Sequence, residues 1–439
     1  MTAEIAILNR NGVALAADSA GTLLLPSGPK ITHTESKLFM LSKYAPVGIM
    51  VYGASQLMGV PWETIIKTYR QDLKAKAFEH LEDYVTDFVS FVEREELLFP
   101  RDLQSSYGAS LVEDGFVKIK ANLDEQGKCL NSPGEAPNNE KVKSAGRTES
   151  SIVLEQVEKS EYLRGFGPDD VDRFAKDPQV AAMINAVLER VIGKLPTTGL
   201  LRRFQRAGAL MLCNQYASPD ISGVVVAGFG EREVFPALVH LQCDGVVNRK
   251  CRHIEVDKVR IETDFGDGIT SAIRPFAQHE MVDRFMEGID PQYRKFVDEC
   301  VSAWLLDKYA NSITEFLNGK IAKDVQEALN VRLTEIVANL KREFTETLDQ
   351  YQGKEFVDGI TRSVATLPKQ DLAAMAEALV NLTAFKRKVT SDQPETVAGP
   401  IDVAVISKGD GFIWIKKKHY FEASLNPDFF SNYCRKDII

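Results

Sequence analysis

Thr2 stands directly behind the initiator methionine, with Asp18 and Lys37 following it across short apolar segments. If Met1 is removed, Thr2 presents a hydroxyl nucleophile and a free α-amine on one residue. A hydroxyl attacks a carbonyl only when a base takes its proton, and an α-amine, with an ordinary pKa of about 8, is one of the few bases available near neutrality. A neighbouring ammonium lowers that pKa by like-charge repulsion. Lys37, held by a salt bridge to Asp18, is the candidate for that ammonium. Gly53, where a small residue lets a substrate approach the backbone, is the candidate N–H donor to an oxyanion. The chemistry would be amide hydrolysis through a threonyl ester.

The elements that must position these residues are legible in the pattern. Residues 3–9 (AEIAILN) read as a strand, Asn11-Gly12 as a tight hairpin turn and 13–17 as the returning strand. A second strand pair is expected at Ser36–Leu41 and Val47–Tyr52, and helices at Trp62–Leu73 and Leu81–Leu98. Lys120–Ser150 is polar and lacks apolar periodicity, which reads as a mobile loop. Helices are expected at Val180–Ile192 and Leu200–Gln215. Strands return at Gly223–Phe229 and Val234–Leu241, with a turn at Asp244-Gly245 and then a short helix within 272–289 that ends at Gly288. From Pro291 to about Lys388 the pattern is helical. There Val325, Leu329, Leu333, Ile336, Leu340, Phe344 and Leu348 step by three or four, a packing face or an oligomer contact. A closing hairpin spans Asp402–Ser407 and Phe412–Lys416.

Strands separated by helical blocks predict one α/β (α+β) core of antiparallel sheets carrying helical insertions. The expected organisation is core at 1–98, insertion at 99–221, core at 222–290, helical insertion at 291–389 and core strands at 390–439.

Composition narrows the function classes. A net charge of −9 in 439 residues argues against nucleic-acid or anionic-membrane binding. No apolar run is long enough to cross a bilayer and no leader pattern opens the chain, so a cytoplasmic protein is expected. The six cysteines stand singly, with no CxxC pair, and the histidines form no HExxH motif; no metal or other cofactor is expected. The glycine-rich stretches lack the lysine of a phosphate loop. Lys416-Lys417-Lys418 reads as a solvated strand end.

The segment Thr2–Thr22 (TAEIAILNRNGVALAADSAGT) resembles the N-terminal strand pair of proteasome β-type subunits, members of the N-terminal nucleophile hydrolase superfamily. Lys37-Leu38-Phe39 with Leu41 is similar to that family's lysine strand, and Tyr52-Gly53 to its oxyanion turn. GVVVAGF with VHLQCDG resembles the family's middle hairpin. Val397–Asp402 (VAGPID) resembles a motif of the Anbu branch of bacterial homologues, which with the HslV-like proteins is the nearest in style. The resemblance covers about half the chain. It implies a four-layer αββα sandwich with Thr2 as nucleophile, Asp18 and Lys37 as the tuning charge pair and Gly53 as oxyanion donor. It also implies Thr22 as a backbone clamp on an extended substrate, and Ser271, within Gly266–Ala272, as the serine near the nucleophile. A peptide or protein substrate and a homo-oligomer are expected, with any unfoldase or regulator unidentified. The chain departs from the family in a longer Asp18–Lys37 gap, where Lys30 competes for the lysine role. It also lacks a clear Asp-x-x-Ser pair: Glu395 lies near the acid's place with no partner. Two other readings stay open: hydrolysis of a small amide, and a catalytically silent assembly or binding module.

Overall fold

The computed structural model describes residues 2–25, 28–32, 34–130, 155–191, 198–216, 220–263, 268–317, 319–389, 399–428 and 431. In chain order the first strands are β1 (Ala3–Asn9), β2 (Gly12–Ala17), β3 (Gly21–Leu25), β4 (Gly28–Thr32), β5 (Leu38–Met40), β6 (Val47–Gly53), β7 (Gln56–Leu57) and β8 (Val60–Pro61). The later ones are β9 (Ser222–Gly228), β10 (Ala237–Val247), β11 (Lys250–Arg260), β12 (Ser271–Ala277), β13 (Asp402–Ser407) and β14 (Gly411–Lys416). The helices used below are α1 (Trp62–Leu73), α2 (Leu81–Arg94), α3 (Arg101–Leu130), α4 (Pro168–Lys176), α5 (Pro178–Val191) and α6 (Thr198–Cys213). They continue as α7 (Glu280–Glu287), α8 (Pro291–Cys300), α9 (Lys308–Leu317), α10 (Lys323–Gln352), α11 (Asp358–Thr366) and α12 (Lys369–Val389). The fold is α+β, and its sheets are antiparallel.

The chain divides into two units, 1–36 with 260–439, and 37–259. The first holds a five-stranded sheet ordered β12-β1-β2-β13-β14. Alternation in β1 and β2 points Ala3, Ile5, Ile7, Ala14 and Ala16 at one face, where α12 packs Leu372, Ala376, Leu379 and Val380 against them. The opposite set, Ala6, Leu8, Val13, Leu15 and Ala17, is buried as well. Asn9 ends β1 by donating from Nδ2 to the carbonyls of Val364 (2.8 Å) and Leu367 (2.9 Å), satisfying carbonyls at the C-terminus of α11.

The second unit holds a sheet ordered β11-β10-β9-β6-β5. Its core joins Val47, Ile49, Val224, Val226, Val239 and Leu241 to the buried faces of α1 and α2. A separate core gathers α3, α4, α5 and α6 around Phe116, Phe174, Ile184, Leu188 and Phe204. Arg252, fully buried on β11, ties that helical layer to the sheet. Its guanidinium forks onto Asp244 (Nε–Oδ1 2.9 Å, Nη2–Oδ2 2.9 Å) and donates to the carbonyls of Met211, Leu212 and Asn214 at the end of α6. The planar fork suits a carboxylate, and a cation suits the negative end of a helix.

Several expectations change. Helix α3 runs through Leu130, so Lys120–Leu130 is helical, while 131–150 lie outside the described residues. Its Lys, Ala, Leu, Glu and Gln residues are good helix formers, and extending an existing helix is far easier than nucleating one. Asp244-Gly245 is no turn but lies within β10. The turn falls at Asn248-Arg249, both with positive φ (49° and 62°), and Gly245 is small because a Cβ there would meet the Tyr107 ring. The expected 272–289 helix begins only at Glu280, because Ser271–Ala277 forms edge strand β12, whose Pro275 is tolerated at an edge. Gly288 closes α7 in the left-handed region (φ 71°).

Arg252→Met should lower the stability of this unit by about 3–5 kcal/mol, since it leaves the Asp244 carboxylate buried without its partner. Arg252→Lys should recover only part of that loss. Urea-unfolding midpoints measure both, and a Met variant as stable as the wild type would refute the clamp.

Candidate active site

In the first unit, Thr2 sits one residue before β1 and is 6% exposed. Its carbonyl accepts from Gln278 N at 3.1 Å, continuing the β1–β12 ladder. Its Oγ1 is buried and makes no hydrogen bond among the described residues. A buried hydroxyl left unpaired costs roughly 1–3 kcal/mol. Native proteins keep few such groups, and a catalytic role is one of the reasons for keeping one.

Asp18 holds this end of the sheet in place. Its Oδ1 accepts from Ala3 N and its Oδ2 from Ala20 N, both at 3.2 Å, while its own N–H donates to the Ala3 carbonyl at 3.2 Å. The carboxylate thereby fixes the residue that follows Thr2. Glu4, two residues on along the same strand face as Thr2, is also buried. Ala277 reaches Gln278 through a left-handed backbone (φ 61°), a conformation worth about 1–3 kcal/mol of strain in a non-glycine residue. Neither Glu4 nor Ala277 was visible as a site feature in the sequence, because each reads as an ordinary strand residue.

Ser271 is not brought to Thr2. It pairs with Asn9 at the far end of β1, whereas Ala277 pairs with Ala3. That register separates Ser271 from Thr2 by about 20 Å along the strand. Its hydroxyl donates to the Thr361 carbonyl at 2.7 Å, a structural bond. Thr22 lies in β3, opposite Ile31 of β4. Lys30 lies in β4, and its side chain falls outside the described residues, as do Gly266, Asp267, Glu395, Val397 and Ala398.

The lysine run is a correction. Asp402, buried where β13 pairs with Ala17, accepts from Lys417 Nζ (2.8 Å), Lys418 N (2.8 Å) and Lys418 Nζ (3.1 Å). Lys418 Nζ also donates to Ser19 Oγ at 2.6 Å, one residue beyond Asp18, and Ser19 Oγ bonds the Pro400 carbonyl. A buried carboxylate requires such partners. Sequence reasoning missed the network because the lysines meet Asp402 across the β13–β14 hairpin and Ser19 lies hundreds of residues away; the signal was an Asp opening an apolar strand.

In the second unit, Lys37 is buried immediately before β5, and its carbonyl accepts from Val51 N at 2.9 Å. Gly53 ends β6 with φ 81°, and a Cβ there would lie 2.4 Å from the Ile221 carbonyl oxygen, so only glycine fits. The Tyr52 ring lies over Gly223, which has no Cβ to obstruct it, and Tyr52 Oη shares a 2.7 Å hydrogen bond with His240 Nε2. Burial pushes the His240 pKa below its ordinary value, with the Asp257 carboxylate opposing in part.

Rival nucleophiles are weaker. Burial pushes the Cys213 thiol up to about 12, and the hydrogen bond that the Cys251 thiol makes to Cys243, together with burial, raises Cys251. Neither is a thiolate near neutrality. Among the described residues no group of three His, Cys, Asp or Glu side chains could hold a metal ion. No helix among them is long and apolar enough to cross a membrane.

No family model matches this chain, and no curated protein matches it. Eight chains of solved structures match it, and one of them aligns along most of it. That structure is the helical assembly of the Anbu complex from Pseudomonas aeruginosa, at 9% identity, covering 98% of this chain and 93% of the other, with a TM-score of 0.26. A TM-score that low carries neither fold nor activity from one molecule to the other.

Two outcomes test the site's supports. His240 is held neutral, so its contribution to stability is complete above its unfolded pKa of about 6.5 and is lost as pH falls through the lower folded value. Urea midpoints should therefore drop between pH 7.5 and 5, more steeply in the wild type than in His240→Gln. An identical slope in both would exclude the buried neutral imidazole. Asp402→Asn should lower stability by about 3 kcal/mol, because two ammonium groups lose their buried counter-charge. An unchanged melting temperature in that variant would show the network to be dispensable.

Proposed function

We propose that this chain is an N-terminal threonine hydrolase that cleaves peptide amide bonds once Met1 is removed. The observation that carries the reading is the buried Thr2 Oγ1, without a hydrogen-bond partner among the described residues, at a strand start held by Asp18. In the proposed mechanism the freed Thr2 amine, directly or through a water, takes the hydroxyl proton as Oγ1 attacks the carbonyl carbon. The tetrahedral oxyanion is stabilised by the Gly53 N–H. Collapse expels the amine leaving group, which takes the proton from the Thr2 ammonium, and leaves a threonyl ester. Water, deprotonated by the same amine, then hydrolyses that ester and frees Oγ1. In this proposal Lys37 keeps the Thr2 amine largely neutral by charge repulsion, and Asp18 is the counter-charge of Lys37.

A peptide substrate is favoured over a small amide by β3. Among the described residues β3 and β4 form a sheet of two strands only, so each has an open edge. An extended peptide can add to such an edge through main-chain hydrogen bonds, with Thr22 on the clamping strand. The proposal includes the αββα stacking implied by the resemblance, with 99–221 and 291–389 as helical additions and a self-associating, cytoplasmic protein.

Intact mass of the purified protein should show loss of one methionine. A β-lactone or epoxyketone should then add once, with the adduct mapped to Thr2. Turnover of fluorogenic peptides should fall at least about a thousandfold in Thr2→Ala, as expected when a nucleophile is lost. Full retention of Met1 in cells, or an adduct on a serine or cysteine, would overturn the reading. An adduct on Thr2 with turnover of small amides only would reassign the substrate.

A further inference from the structure

Residues 291–352 form a long antiparallel helical hairpin. Its first arm is α8, a π-helical turn at Val301–Asp307 and α9; its second is α10. Three rungs set the direction: Arg294 to Asp349 (2.8 Å), Lys341 to Asp307 (3.0 Å) and Thr314 to Asn330 (3.1 Å). Gly319 turns the chain between the arms with φ 72°. At about 1.5 Å per residue the second arm is roughly 45 Å long.

This hairpin is apolar where it should be polar. No residue of α8, α9 or α10 is fully buried. On α9, Tyr309, Ile313 and Phe316 share a face at i, i+4 and i+7 and are 66%, 44% and 68% exposed. On α10, Val325, Ile336 and Leu340 of the apolar stripe are 41–51% exposed. Tyr293 and Phe296 of α8 are each 59% exposed. At about 200 Å² for a fully exposed aromatic and somewhat less for an aliphatic, these eight partly exposed side chains present on the order of 800 Å². That is comparable to the about 800 Å² per partner of a standard protein interface. At the π-helical turn the first arm also opens a cavity of about 550 Å³ lined by Phe296, Val297, Cys300, Val301 and Tyr309.

We propose that this hairpin docks on the hairpin of a second copy of the chain, forming a four-helix bundle about a two-fold axis. Two antiparallel helices cannot enclose a core, whereas four can, and an isologous pair presents the same apolar face from both sides. Charge selects the occupant. The segment carries eight Lys or Arg and ten Asp or Glu residues, interspersed along both arms. Near-balanced charge of mixed sign suits a copy of itself and disfavours nucleic acid or an anionic lipid surface. The π-turn cavity is a socket for an aromatic ring from the opposing arm. The docking is independent of the chemistry at Thr2.

Sedimentation of the full-length protein at micromolar concentration should give a dimer or a larger even-numbered assembly. Tyr309→Ser combined with Phe316→Ser should halve that mass with unchanged far-UV circular dichroism. Hydrogen exchange on the wild type, which avoids any folding defect of a variant, should show protection that rises with protein concentration in 308–317 and 323–352. A monomeric wild type, a variant of wild-type mass, or exchange in the hairpin independent of concentration would each overturn the proposal. So would binding of anionic vesicles by the hairpin without self-association.

Discussion

The start of β1 is held from both sides, and the candidate chemistry depends on it. On one side Asp18 receives Ala3 N on its carboxylate while its own N–H donates to the Ala3 carbonyl. On the other, Gln278 N donates to the Thr2 carbonyl. Thr2 leads into a central strand between β2 and β12, and among the described residues its hydroxyl is left without a hydrogen-bond partner.

The same physics organises the supports at greater distance. Buried charge is retained only where geometry answers it. Arg252 is answered by one carboxylate and three carbonyls, and Asp402 by two lysines and a backbone N–H. Each network joins segments remote in sequence: Arg252 binds the helical layer to its sheet, and Asp402 with Lys418 and Ser19 binds the closing strands to the loop that follows Asp18. Such pairs add less to net stability than their Coulomb attraction suggests, because both charges are desolvated.

The helical hairpin obeys the opposite economy. Its stripe on α10 has the spacing of a packing face, yet no residue of the helix is enclosed. Periodicity reports that a face is apolar and cannot say what covers it. Among the described residues the first arm is what packs along it, and two cylinders in contact leave most of each surface open.

Local signals were sufficient wherever one physical rule governed a segment. The Asn11-Gly12 turn between alternating apolar residues, the amphipathic runs at Trp62–Leu73 and Pro178–Val191, and the closing hairpin at Asp402–Lys416 follow from turn chemistry and periodicity. Such reading missed β12, whose Arg274 and Pro275 weaken the strand pattern, and placed the middle turn at Asp244-Gly245 because a glycine can serve either a bend or a close ring. By itself, then, the sequence determined most of the element types and the Thr2-to-Asp18 hairpin, which depend on neighbours a few residues away, whereas the need for glycine at position 53 comes from the distant Ile221 carbonyl. Only the tertiary structure decided that Ser271 stands at the wrong end of β1, that Lys418 is a partner of the buried Asp402, and that Thr2 Oγ1 has no hydrogen-bond partner among the described residues. Register, desolvation and hydrogen-bond satisfaction are properties of residues brought together from distant parts of the chain, and no local pattern encodes them.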